Sequence, residues 1–176
     1  MPTSTNLSVQ KFTDRSAQPI MLTDDKGRIW HCNSAWEKLC GYTRSEVVGM
    51  SAKILQGPDT DIEEVRRMTK LLRLGEEEAH IQIYNYKAAG EGFWNDLYIH
   101  GYVHEDNLDD ETPPLPEYHV AFLQEMRTGS LTDDEIEIKA GRSREIFRLK
   151  RLIFESCEVS LCQGRSPSLH SMMIST

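Results

Sequence analysis

Three primary amides stand where the alternation of strand residues calls for apolar side chains. In "AHIQIYNYK", Ile81 and Ile83 share a face with Asn85; in "GFWNDLYIHGYV", Phe93, Leu97 and Ile99 share one with Asn95; in "EYHVAFLQE", Val120 and Phe122 share one with Gln124. A buried amide left without partners costs on the order of a few kcal/mol, so each needs an explanation. The amides can bond to one another or to loop backbone. Alternatively they can meet a planar heterocycle whose edge presents both donors and acceptors, which suits a group that supplies both. Three on one core, the first two ten residues apart, favour the ligand.

Other chemistries find less support. His31, His80, His100, His104, His119 and His170 are scattered, and neither HExxH nor GxSxG occurs. The acidic run from Asp106 to Glu111 lacks EF-hand spacing and reads as a solvated loop. Cys32, Cys40, Cys157 and Cys162 show no CxxC pair, which argues for reduced thiols and against zinc. No enzyme and no metal site is expected.

The elements that must position the amides follow from local signals. "PIMLTDDKGRIWHCN" is a hairpin, two apolar runs about a turn. Three helix starts carry a Ser or Thr with Glu three residues on, at Ser34/Glu37, Thr43/Glu46 and Thr60/Glu63. The first two helices end at Gly41 and Gly49; the third, over residues 61–74, lines up Ile62, Val65, Met68 and Leu72. Three strands follow, the first pair joined by "AAGEG" and the last two separated by the acidic, proline-broken "HEDNLDDETPPLPE". The order is two strands, three helices, three strands, an α+β arrangement.

The chain has 176 residues, 39% hydrophobic and 27% charged, which suits one compact domain and a tail. Its polar start, residues 1–17, reads as a flexible lead-in without a secretory signal, and no apolar run approaches the roughly 18 residues of a membrane span. An intracellular location, cytoplasmic or nuclear, is expected. The net charge of -8 argues against nucleic-acid binding by the main domain. Beyond residue 127 the composition shifts: residues 128–162 read as a linker and a basic amphipathic helix with Ile146, Leu149 and Ile153 on one stripe, and residues 163–176 as a disordered tail. That helix is expected to pack on the domain's own sheet, with a partner-binding or dimer role second and a membrane-surface or nucleic-acid role third.

Residues 18–127 resemble a PAS domain, and within it the LOV subclass that binds flavin mononucleotide (FMN). The likeness rests on "CNSAWEKLCGYTRSEVVGM", "ILQGPDTD" and "NYKAAGEGFWN", which are similar to the family's Asn-x-Ala-Phe with Thr-Gly-Tyr, its Leu-Gln-Gly-Pro-x-Thr-Asp and its Asn-Tyr-x-x-x-Gly-x-x-Phe-Trp-Asn. The resemblance implies a PAS fold, a five-stranded antiparallel sheet with helices packed on one face. It also implies that Gln56, Asn85 and Asn95 contact the flavin, and that Gln124 is the last-strand glutamine that rearranges after light absorption. A slip of one residue would place Leu123 there; Gln124 is preferred because the other register turns His119 and Glu125 inward.

Departures from the pattern are specific. Ala52 stands where the family carries the cysteine that adds to the flavin, so the usual photocycle is excluded. Ser51 replaces an asparagine, and Lys53 replaces a phosphate-gripping arginine, keeping charge but losing the bidentate fork. Thr69 falls at a second such arginine, with Lys70 one residue on, and Phe122 falls at a small glycine where it would crowd the ring. Cys32 and Cys40 are poor substitutes for the missing thiol, because buried cysteine is usually inert. Trp30, Trp36, Trp94 and Tyr86 are candidate electron donors by composition, each taken singly better accounted for by core or interface packing.

Two readings result. The first is a sensory domain that binds FMN, responds to blue light or redox state without a bond to cysteine, and signals to a protein partner or a second copy through the outer sheet face and the C-terminal helix. The second is a PAS domain without ligand that serves as a protein interaction module.

Overall fold

The computed structural model describes residues 4–74, 76, 78–102 and 117–126. The acidic stretch 103–116 and the linker, basic segment and tail from residue 127 onward lie outside the described residues.

A five-stranded antiparallel sheet forms the body: β1 (Ile20–Asp24), β2 (Ile29–Cys32), β3 (Glu78–Tyr86), β4 (Gly92–Tyr102) and β5 (Tyr118–Glu125), in the spatial order β2-β1-β5-β4-β3. Between β2 and β3 come α2 (Ser34–Cys40), α3 (Arg44–Val47), a single 3₁₀ turn (Ala52–Leu55) and α4 (Ile62–Arg73), with α1 (Ser4–Arg15) ahead of the sheet. The expected strand and helix order is present.

The helices between β2 and β3 cover one face of the sheet, here called inner. Met21, Ile29, Cys32, Trp36, Cys40, Leu55, Leu72, Ile99, Ala121 and Leu123 pack there in one core, flanked by Ala52, Met68 and Leu97. The other face carries a second core, in which Val9 of α1 packs with Ile20, Leu22, Tyr118, Val120 and Phe122. Residues 4–15, part of the expected lead-in, thus form a helix on this second face in addition to the helices that cover the inner one. Val9 and Thr13 are fully buried. One buried valine contributes about 1.5–3 kcal/mol, which a mostly polar helix can supply without a strong apolar pattern.

Asn33 joins these parts. Its Nδ2 donates to the carbonyls of Thr13 (2.9 Å) and Gln18 (2.7 Å), while its Oδ1 accepts from the backbone N–H of Ile20 (3.0 Å) and of Trp36 (3.0 Å). One fully buried amide thus ties the end of α1 to the start of β1 and caps α2. The expected Ser34 cap is therefore displaced by one residue. The Thr60 cap is displaced likewise: Asp61 accepts from the N–H groups of Glu63 and Glu64, and the Thr60 hydroxyl turns to the sheet. At Thr43 the expected box is present, with the Glu46 carboxylate accepting from the Thr43 N–H at 2.7 Å. Gly41, at φ 77°, ends α2 in the left-handed conformation that glycine adopts at little cost.

Candidate functional site

The inner face of β3 and β4 holds the amides. Buried and open residues alternate along β3, and Asn85 sits in register opposite Phe93, with Ile83 opposite Asn95. Asn85 and Asn95 are both buried, Asn95 completely. Asn95 Nδ2 donates to Asn85 Oδ1 at 2.9 Å, and Asn85 Nδ2 donates to the Leu55 carbonyl at 3.1 Å. The Asn95 Oδ1 accepts from the backbone N–H of Gln124 at 3.1 Å. A polar chain therefore runs from the 3₁₀ turn across β3 and β4 to the backbone of β5.

Gln124 itself does not join the inner face. Leu123 lies beside Leu97 in the inner core, whereas Val120 and Phe122 belong to the outer one, the side to which Gln124 is turned by alternation. The register is the one that turns Leu123, and not Gln124, to the inner face. The preference for Gln124 holds for a strand with one buried face, whereas α1 covers the other face of β5 and the strand is buried at six consecutive positions. Alternation carries no information on a strand buried from both sides. His119 accepts its inward place as a buried side chain, and Glu125 sits at the strand end and pairs with Lys87 at 3.0 Å. Phe122 consequently does not crowd the inner face; Ala121, a small residue, stands there.

The remaining predicted residues lie around the rim. Ser51 is exposed and its Oγ accepts from the Lys53 N–H at 3.3 Å, capping the 3₁₀ turn. Lys53 is exposed, and Ala52 packs half-buried against the inner core. Gln56 follows the turn, half-buried, and its side-chain amide makes no hydrogen bond among the described residues. Thr69 donates its hydroxyl to the Val65 carbonyl of its own helix at 2.8 Å, and Lys70 is exposed. Of the aromatic candidates, only Trp36 lies in the inner core, where no described residue accepts from its indole N–H; Trp30 packs on the outer side and Trp94 is half-exposed. Burial raises the Cys32 thiol to about 11 and the Cys40 thiol to about 12, leaving both protonated and unreactive at neutral pH.

One feature of the site had no clear signal in the sequence. The end of the 3₁₀ turn and the loop after it are fastened to three successive residues of β3. Thr60 Oγ1 donates to the Tyr84 carbonyl (2.7 Å), Asn85 holds Leu55, and the Tyr86 hydroxyl donates to Asp59 Oδ2 (2.5 Å) while accepting from the Asp59 N–H (3.1 Å). Its residues fall in the two quoted motifs, Gly57, Asp59 and Thr60 in "ILQGPDTD" and Tyr86 in "NYKAAGEGFWN", but neither motif says that they meet.

A mixed sheet-and-helix module with a buried amide pair under a helical cover is the class that fold and site define together. The family model for the PAS domain matches residues 17–110, more than half of the chain, and the chain belongs to the PAS domain family. Blue-light-activated histidine kinase 2 of Erythrobacter litoralis is 45% identical over 76 residues, 43% of this chain and 22% of the kinase. A blue-light-activated histidine kinase of Rhizobium johnstonii is 36% identical over 97 residues, 53% of this chain and 28% of that one. The chain thus spans less than a third of the length of either kinase. Among solved structures, the LOV domain of a blue-light-activated histidine kinase of Erythrobacter litoralis is 36% identical, with a TM-score of 0.54 over 64% of this chain and 98% of that one. The Rhodobacter sphaeroides LOV protein, 19% identical, shares the fold with a TM-score of 0.72 over 96% of this chain and 87% of its own. Among the described residues no helix is long and apolar enough to cross a membrane.

Proposed function

We propose that this chain is a LOV-type sensory domain that holds FMN on the inner face of β3 and β4 and signals through contacts with another protein chain. The observation that carries the proposal is the Asn85–Asn95 pair, two buried amides in contact on an otherwise apolar face. The residues fit the polar edge of a planar ring: Asn85, Asn95 and the Gln56 amide, which has no hydrogen bond among the described residues, supply donors and acceptors. Ser51 and Lys53 on the exposed rim would face the phosphate end. When bound, the flavin supplies blue-light absorption and a ring edge whose hydrogen-bonding character changes with its state.

The chain's own part follows from the amide chain. A primary amide meets a donor with its oxygen and an acceptor with its nitrogen, so a changed partner favours a rotated Asn95. Rotation replaces Oδ1 by Nδ2 opposite the Gln124 N–H, and two donors then face each other. The end of β5 is loosened or shifted, immediately before residue 127. Leu123 plays no hydrogen-bonding part, and Ala52 forms no bond. The output is non-catalytic, a shift in how the sheet and the residues beyond 127 engage a partner.

Titration of the full chain with FMN, followed by flavin fluorescence, tests this. The expected result is saturable one-to-one binding that Asn95→Leu weakens at least tenfold. The second reading, an interaction module without ligand, is favoured by the same hydrogen bonds, since Leu55, Asn85, Asn95 and Gln124 satisfy one another unaided. A chain that takes up no FMN supports that reading.

A further inference from the structure

We infer that Tyr86 and Asp59 form a clamp that positions the Gln56 amide for the bound ring, which makes Tyr86 a determinant of flavin affinity; this rests on the flavin reading above. Gln56 is held from both sides. On one side its neighbour Leu55 is fixed by the Asn85 amide. On the other, Gly57 lies so close beneath the Tyr86 ring that an added Cβ would stand 2.3 Å from two of its carbons. The ring is kept there by the hydroxyl, which bonds twice to Asp59, and the loop is closed on itself where the Gly57 N–H donates to Thr60 Oγ1 at 2.9 Å.

These contacts use side chains of Asn85 and Tyr86, which alternation sends to opposite faces of β3. The strand edge is therefore gripped from its inner and outer sides at once, with Gln56 between the grips. The Gln56 side chain makes no hydrogen bond among the described residues, while its backbone N–H donates to the Lys53 carbonyl at 2.9 Å, so the clamped loop backbone fixes where that side chain begins. A side chain that starts from a fixed backbone has less freedom to lose when it meets the ring, which is how preorganisation raises affinity. Tyr86 acts on the ligand through Gln56 and is a positioning residue.

Full-length wild type, Tyr86→Phe, Asp59→Ala and Asp59→Asn are titrated with FMN, and the thermal midpoint of each is measured without flavin. Tyr86→Phe keeps the ring over Gly57 and removes only the hydroxyl; Asp59→Asn keeps an oxygen able to accept from it. Expected are an FMN dissociation constant raised about tenfold by Tyr86→Phe and by Asp59→Ala, near-wild-type binding by Asp59→Asn, and a blurred visible band in the two weak variants. The thermal midpoints of Tyr86→Phe and Asp59→Asn should agree closely, so that loss of binding is separated from loss of fold. Equal affinity of wild type and Tyr86→Phe, or loss of binding by Asp59→Asn to the level of Asp59→Ala, overturns the clamp and leaves the flavin reading standing. A wild type that binds no FMN overturns both.

Discussion

Asn95 donates to Asn85 and accepts from the backbone of Gln124, so a change of partner on one side of its amide is felt on the other. Replacing it by leucine leaves the Asn85 oxygen and the Gln124 N–H without that partner, each of which costs about 1–3 kcal/mol if it stays buried. Asn95→Leu should therefore lower the stability of the flavin-free chain as well as its affinity for FMN, read by chemical denaturation. Ala52 offers the converse experiment. It packs half-buried against the inner core, and a cysteine there adds only a sulfur atom. With FMN bound, Ala52→Cys should acquire a light-induced loss of the blue absorption band that recovers in the dark, followed by absorbance. The native Cys32 and Cys40 should not take that place: buried and held protonated, they should react far more slowly with a thiol reagent at pH 7.5 in the folded chain than in denaturant.

The elements were legible where one physical signal dominated. The β1–β2 hairpin, the β3 and β4 alternation and the glycine after α2 appear as the sequence predicts, because each rests on turn chemistry or on a face that is half buried. Helix α1 was not, since its docking depends on Asn33 and on an ion-pair group far away in sequence. Asp14 Oδ1 lies 3.1 Å from His31 Nε2 and 2.8 Å from Arg44 Nη2, linking α1 to β2 and α3. Burial, then the nearby Arg44 charge, lowers the pKa of His31 although Asp14 and Glu37 pull it upward; burial also lowers that of His119, against Asp24 and Asp25. Both histidines are thus favoured neutral in the folded chain. As pH falls through the unfolded value of about 6.5 the unfolded chain takes up protons first, so stability is full above that pH and declines below it until the folded values are passed, by at most about 1.4 kcal/mol per pH unit for each histidine. Thermal midpoints between pH 7.5 and 5.5 should show this decline, and His31→Gln should flatten it.

At the scale of the whole molecule, the two-sided burial of β5 explains both what the sequence reveals and what it hides. The sheet and its inner amides Asn85 and Asn95 could be placed from alternation alone; Gln124 could not, because the outer core under α1 makes Val120 and Phe122 look like inner residues. Deleting residues 1–16 should uncover that outer core, exposing Ile20, Leu22, Val120 and Phe122, and drive self-association measurable by light scattering. The inner face would keep its amides and should still take FMN, though less tightly in a less stable sheet. The measurement that tests the flavin reading most directly is the visible absorption spectrum of the full chain purified with added FMN, before and after blue light. The account predicts a structured blue flavin band that illumination changes reversibly with alanine at position 52. A protein that stays colourless after FMN is added and removed would contradict it and make the Asn85–Asn95 pair a closed structural contact of an interaction domain.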